Sequence, residues 1–365
     1  HPSNCTTLHR ASRVLFAPWL SPPKIYSRNA WASERLLQEA TSAMQFYQAG
    51  TSHFLGQNFA KWHVSLQKAW FGDNATKEND YAYDLIPKRD GAYDVLAIFE
   101  RMYQGRVNGF ITQGMNPLAA LPNKKKCTAA LSKLKYLVII DPLRTETGEF
   151  WKNYGDSNNV KPEDIKTEVI MLPANCIHEE AGSFTSSGRV AQWHWAAADP
   201  PGEAKIDREI IGSLFTKLRE MYAKDGGKFP DAIMKITWNY ANPNVPSGEE
   251  LLREISGRAL TDVVDPKDKT KVLARAGEQL PGFGMLQDDG STACGNWLYC
   301  GSWSQAGNLT ARRDSSDPGN LGNNLTWGYS WPANRRVLYN RAGADPSGKP
   351  WDPKRGGIRW DGTRW

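Results

Sequence analysis

The sequence predicts an α/β fold, a parallel sheet followed by an irregular α+β region rich in tryptophan and glycine. Three observations carry this. From about Tyr93 to Leu172, helical apolar spacing alternates with short strand-like runs, the order of a parallel sheet with crossover helices. Tyr136 to Ile140 is apolar without much interruption, as in a strand covered on both faces. After about Phe229 the regularity fades, and residues 280–365 are dense in Gly, Trp, Asn and Arg. The first unit is therefore expected to be Rossmann-like, with ligands bound at the carboxyl ends of its strands.

Residues 1–56 read as a divergent, irregular segment. Pro2, Pro18, Pro22 and Pro23 interrupt it, and only Trp31 to Tyr47 has helical spacing, through Leu36, Leu37, Ala40 and Met44. The α/β domain is expected over 57–228. Val95, Ile98, Phe99 and Met102 recur as one helix face, and Gly105 is a stop signal. Val107 to Thr112 reads as a strand running into the loop Gln113 to Pro117. Asn123 is placed to cap a helix whose apolar face is Cys127, Ala130, Leu131 and Leu134. After the strand Tyr136 to Ile140, Thr145 is read as the cap of a short helix, and Glu168 to Leu172 as a third strand. A long helix then presents Ile206, Ile210, Leu214, Leu218 and Met221, ended by Gly226-Gly227. Residues 229–365 read as short strands and long loops that pack on something else.

Composition narrows the function classes. With 40% hydrophobic and 23% charged residues over 365 positions, the chain is globular. Its longest apolar run is far below the roughly 18 residues of a membrane span. A formal charge of +6, with Lys124-Lys125-Lys126 as the tightest basic run, does not describe a nucleic-acid-binding face. Phosphate-bearing small ligands remain open. Five cysteines are scattered with no C-x-x-C spacing, which argues against a zinc or iron–sulfur site. Cys294 and Cys300 pair only if they face each other across a turn. There is no P-loop, G-x-G-x-x-G, H-E-x-x-H or G-x-S-x-G. His178 beside Glu179 and Glu180 has no second histidine at ligand spacing, and His194, between two tryptophans, reads as packed. No targeting signal is visible, and a chain opening on His1 reads as a processed product or part of something longer.

The strand-end loops hold the candidate ligand contacts. Gly114 lets backbone approach a ligand closely, and Asn116 offers donors and an acceptor without charge. Asp141 ends the second strand, where a carboxylate suits ribose hydroxyls, and Asp207 opens the long helix. Each also has a local explanation: Asn116 before Pro117 is ordinary turn chemistry, and Asp207 can cap its helix.

Several motifs carry a family resemblance. Gly109 to Pro117 (GFITQGMNP), Leu131 to Leu143 (LSKLKYLVIIDPL), Leu172-Pro173-Ala174, Glu179, Gly182, Ser187-Gly188-Arg189 and Gln192-Trp193-His194-Trp195 resemble the major, catalytic subunit of respiratory formate dehydrogenases. These belong to the molybdopterin oxidoreductases. Asp288-Asp289-Gly290, Gly301-Ser302-Trp303, Ala311 to Asp314, Asn334 to Ala342 and Lys349 to Arg355 continue the likeness, which runs from about Gln57 to the end. It is closest to the membrane-associated or periplasmic branch.

The resemblance implies α/β layers around molybdenum or tungsten carried by two molybdopterin guanine dinucleotides. This chain would be a central fragment holding one of them, half of the site. Gln113, Gly114 and Asn116 would lie against the dinucleotide, Asp141 would mark the second contact strand, and Ala174 would touch it by backbone. Asp207 would read the guanine, since a carboxylate accepts from N1–H and N2–H₂ together. The parent reaction would be oxidation of formate to carbon dioxide, with electrons passing through iron–sulfur centres. The partners implied are the remainder of the catalytic subunit and an iron–sulfur beta subunit, in the periplasm. The family's cluster cysteines, its selenocysteine or cysteine ligand with the adjacent histidine, and its arginine would all fall upstream. No catalytic residue, metal ligand or iron–sulfur cluster is therefore expected here, and the fragment alone is expected to be inactive. Residues 1–50 lack the likeness, which implies a shifted reading frame or a truncated copy. Two alternatives are a fragment of another molybdopterin oxidoreductase and a non-catalytic module stacking Trp297, Trp303, Trp327 and Trp331 on glycans.

Overall fold

The computed structural model describes residues 59–86, 94–152, 159–186, 189–265, 268–314, 324 and 326–330. The readings for 1–56, for Trp331 and for the motifs beyond it lie outside the described residues.

The parallel sheet is present. β1 (Gly109–Gln113), β2 (Tyr136–Asp141) and β3 (Glu168–Pro173) lie in the order β1-β2-β3, all parallel. Gly109 stands opposite Tyr136, and Tyr136 opposite Glu168, so the three strands end together. The central strand is covered on both faces. Leu137 and Ile139 point into a core with Phe99, Met102, Cys127, Ala130 and Leu131, whereas Ile140 packs with Ala174, Ile210 and Ile211. This strict alternation within an all-apolar run is the period of two expected of a strand between two layers. Full burial of a side chain such as Ile140 contributes about 1.5–3 kcal/mol.

The first layer is α2 (Val95–Tyr103) and α4 (Lys124–Leu131), with α1 (Phe59–Phe71) before them and the single turn α3 (Pro117–Ala120) between. Asp94 caps α2 by accepting from the Ala97 N–H at 3.0 Å, and Gly105 leaves it with φ +70°. Asn123 accepts from the Lys126 N–H at 3.2 Å, the cap read from the sequence. Thr145 caps no helix: residues 146–151 are turns, and its hydroxyl is buried without a hydrogen bond. Thr147 organises that stretch instead, accepting from the Leu118 N–H at 3.1 Å.

The second layer is α5 (Asp207–Asp225), closed by Gly226 at φ +66°. Its length is as expected, but its buried stripe is not. Arg208, Ile210, Ile211, Gly212 and Phe215 are buried, whereas Leu214 is 40% and Met221 53% exposed. The stripe is turned by about one residue, roughly 100°, because α5 bridges two cores. Ile210 and Ile211 meet the sheet, and Phe215 packs on Trp238 with ring centroids 4.3 Å apart.

Between β3 and α5 lies the antiparallel pair β4 (Gly182–Thr185) and β5 (Ala191–His194). Beyond α5 come the turn α6 (Asp231–Met234), α7 (Gly248–Ser256) and three two-stranded antiparallel pairs. The strands are β6 (Arg258–Ala259), β7 (Val263–Val264), β8 (Val272–Ala274), β9 (Thr292–Ala293), β10 (Trp303–Ser304) and β11 (Gly307–Asn308). α1 is built into this region. Trp62 stacks on Trp297 at 3.8 Å and 3°, and the Ser65 and Thr292 hydroxyls hydrogen-bond at 2.8 Å. The mixed α/β character and the small antiparallel sheets agree with the class read from the sequence.

Candidate functional site

Because the parallel strands are in register, Gln113, Asp141 and Pro173 close them along one edge. The segment before α5 extends that edge. The Lys205 N–H donates to the Pro173 carbonyl at 3.1 Å, and the Asn175 N–H donates to the Lys205 carbonyl at 3.1 Å. The buried side chain of Asn175 then accepts from the Asp207 N–H at 3.2 Å, holding the first turn of α5 against the strand ends. Ile206 is the N-cap of α5, with no side-chain capping bond, so Asp207 stands one position inside the helix.

Asp207 is the most perturbed carboxyl of the edge. It is pushed up to about 6, first by burial and then by the nearby charges of Glu180 and Asp141. The Gln113 amide and the Arg208 guanidinium pull the other way. Gln113 Nε2 is buried and makes no well-formed hydrogen bond, although it lies beside that carboxyl. Under the pair sits a second, fully engaged one. Arg208 Nε donates to Glu180 at 3.3 Å, with the side chains 9% and 4% exposed, and its Nη1 donates to the Pro246 carbonyl at 2.8 Å. A buried charge pair of this kind holds geometry, because removing either member strands the other in low dielectric. His194 is held below its ordinary range, first by burial, with Glu180 working against this, and its Nε2 is buried without a hydrogen bond. It packs at 5.8 Å from Phe184, in keeping with a packed rather than catalytic histidine.

The other candidates surround this centre. Gly114 has φ +58°, donates its N–H to the Ile140 carbonyl at 3.0 Å, and faces open space where a Cβ would project. Asp141 accepts from the Leu143 N–H at 2.9 Å through one oxygen. Ala174 is buried, its N–H donated to the Asp141 carbonyl at 3.3 Å. Asn116 is engaged at both ends of its amide. Nδ2 donates to Glu146, and Oδ1 accepts from the Thr147 hydroxyl at 2.7 Å. Gln113, Asp141 and Asp207 thus come together, with Gly114 and Ala174 beside them, while Asn116 struts the loop. Asn175, Glu180 and Arg208 were not foreseen as site residues; the only sequence signal was a helix opening on an adjacent Asp-Arg pair.

His178 is exposed and lies 3.9 Å from Glu179, and among the described residues no three metal-ligating side chains gather. No helix among them is long and apolar enough to cross a membrane. Trp297 is buried in its stack and Trp303 lies under the Arg253 guanidinium at 4.5 Å, which removes them as an exposed glycan platform. A cavity of about 420 Å³ lies elsewhere, beside Tyr240, Arg253, Arg258 and Gln279, and includes none of the sheet-edge residues.

The fold and this edge define a mixed α/β unit with a cluster of polar, partly desolvated side chains at its strand ends. The chain is a homologue of formate dehydrogenase major subunits, a group of oxidoreductases. It is 54% identical to the formate dehydrogenase-O major subunit of Escherichia coli (strain K12) over 308 residues, 84% of this chain and 30% of that protein. It is 50% identical, with the same coverage, to the nitrate-inducible formate dehydrogenase major subunit of that organism. Identity to formate dehydrogenase 2 subunit alpha (cytochrome c-553) of Nitratidesulfovibrio vulgaris is 40% over 314 residues, again 84% of this chain and 30% of that protein. The chain thus spans about 30% of the length of these relatives. No family model matches it.

Proposed function

We propose that this chain is the part of a formate dehydrogenase catalytic subunit that holds one molybdopterin guanine dinucleotide in a Rossmann-like unit. The observation that carries the reading is the pairing of Gln113 and Asp207 at the strand ends, a half-buried carboxyl beside a buried amide nitrogen that makes no well-formed hydrogen bond. These residues fit a guanine nucleotide. Asp207 accepts from the two adjacent N–H groups of guanine, which adenine does not offer, and the Gln113 amide donates to a ligand oxygen. Gly114 leaves the backbone open to a phosphate or sugar, Asp141 keeps one carboxylate oxygen for a hydroxyl, and Ala174 lends backbone. The Asn175 and Arg208–Glu180 framework orients them.

The bound metal cofactor, molybdenum or tungsten, would supply the two-electron oxidation of formate to carbon dioxide. Binding and orientation are this chain's share of that work. The remaining parts of the subunit, together with an iron–sulfur beta subunit, would complete the site in the periplasm. By itself the chain turns over no formate in this reading.

GDP is a simple stand-in for the guanosine diphosphate half of the cofactor, and calorimetric titration of the 365-residue chain with GDP and ADP tests the reading. GDP is expected to bind at least tenfold tighter, and Asp207→Asn to erase that preference. Equal affinities in the unsubstituted chain would sink the proposal.

A further inference from the structure

The sheet-edge site uses no cysteine, yet two sit together elsewhere. Cys294 follows β9, and Cys300 closes the single 3₁₀ turn Trp297–Tyr299. The loop between them is pinned. The Cys294 N–H donates to the Ser65 carbonyl at 2.9 Å, the Gly295 N–H to Glu254 at 2.8 Å and the Gly301 N–H to Ser256 at 3.0 Å. Trp297, in the middle, is clamped by its stack on Trp62. Both cysteines are thereby held over the C-terminal end of α7.

Gly257, which follows α7 with φ +88°, shows how close they are. A Cβ placed on it would lie 3.1 Å from Cys300 Sγ and 3.2 Å from Cys294 Sγ. Cys294 Sγ donates to the Ile255 carbonyl at 3.2 Å, which leaves its lone pairs to accept from the Cys300 thiol. Both are free thiols in this structure.

We propose that Cys294 and Cys300 are a latent disulfide, closed when the chain meets a small disulfide oxidant and fastening the seven-residue loop to the end of α7. The exchange is balanced. The thiolate of Cys300, the partly exposed residue of the two, attacks one sulfur of oxidised glutathione and expels a glutathione thiolate. Cys294, as thiolate, then attacks the Cys300 sulfur of the mixed disulfide and expels the second glutathione. Two thiol protons are released, and the oxidant's S–S bond takes the two electrons. Burial and the neighbouring Cys294 push the Cys300 thiol well above its ordinary range, so the reaction is slow at neutral pH and speeds up as pH rises.

The test incubates the 365-residue chain with oxidised glutathione at pH about 8.5, where more of the thiol is ionised. The sample is then acid-quenched, unfolded, alkylated and cut with trypsin. Both thiols fall on the peptide Ala276 to Arg312. That peptide is expected unalkylated and two hydrogens lighter, with two alkyl groups appearing when a reductant precedes alkylation. The oxidised chain is also expected to melt a few degrees higher. Cys300→Ser should leave Cys294 alkylated, and Cys294→Ser should leave Cys300 as a glutathione adduct or alkylated, so either variant serves if the other fails to fold. Two alkyl groups on the peptide from an oxidised chain with native near-ultraviolet circular dichroism would overturn the proposal. So would glutathione retained on the unsubstituted chain, or a bond to Cys127 or Cys176.

Discussion

Gln113, at the end of β1, and Asp207, in the first turn of α5, meet across the sheet edge: the amide of one partly offsets the burial that leaves the carboxyl of the other at about 6. Ninety-three residues of chain separate them, and the contact exists because Asn175 clips α5 onto the strand ends. An ionised carboxylate held there is unfavourable unless something donates to it. That is the condition on which the proposed guanine contact rests.

The first expectation concerns stability. The folded carboxyl is raised from 3.8 to about 6, so the folded chain prefers the proton. Its favourable contribution is fully present below the unfolded value and is lost as pH rises through about 6. Asp207→Asn removes the buried charge and should therefore stabilise the chain by about 1–3 kcal/mol at pH near 7.5, with the gain vanishing near pH 3.5. Urea unfolding of both forms at the two pH values measures this. A destabilised variant at neutral pH would contradict the account.

Ligand affinity should have the opposite pH dependence. Recognition of guanine by Asp207 needs the carboxylate, so GDP affinity should fall about tenfold for each pH unit below about 6. Glu180→Gln removes a charge that raises Asp207 and should move this midpoint lower. A GDP affinity flat between pH 5 and 8 would exclude Asp207 as the guanine contact.

Core substitutions should separate the carboxyl end of β2 from the loop that follows it. Ile140 is fully buried between the sheet and α5, whereas Leu143, three residues on, is 67% exposed. Ile140→Ala is expected to cost about 2–5 kcal/mol by the lost contacts and the cavity left. Leu143→Ala should stay within about 0.5 kcal/mol. Denaturant midpoints at an unchanged slope would report both.

The sequence by itself determined the helix–strand alternation from Val95 to Asp141 and the third strand, the cap at Asn123, and the stops at Gly105 and Gly226. Periodicity and capping act within a few residues, so the signal is local. It also carried the homology, through motifs such as GFITQGMNP at Gly109 to Pro117. Only the tertiary structure decided which stripe of α5 is buried, because that depends on the sheet meeting Ile210 and on Trp238 meeting Phe215. It alone turned Arg208 inward, since an arginine on an amphipathic helix looks solvated until a buried Glu180 and the Pro246 carbonyl are supplied from elsewhere. The same holds for Thr147 in place of Thr145, and for Asn116, whose amide is claimed by Glu146 and Thr147 some thirty residues away. Charge burial and long-range hydrogen bonding are properties of the assembled fold, and no window of sequence contains both partners.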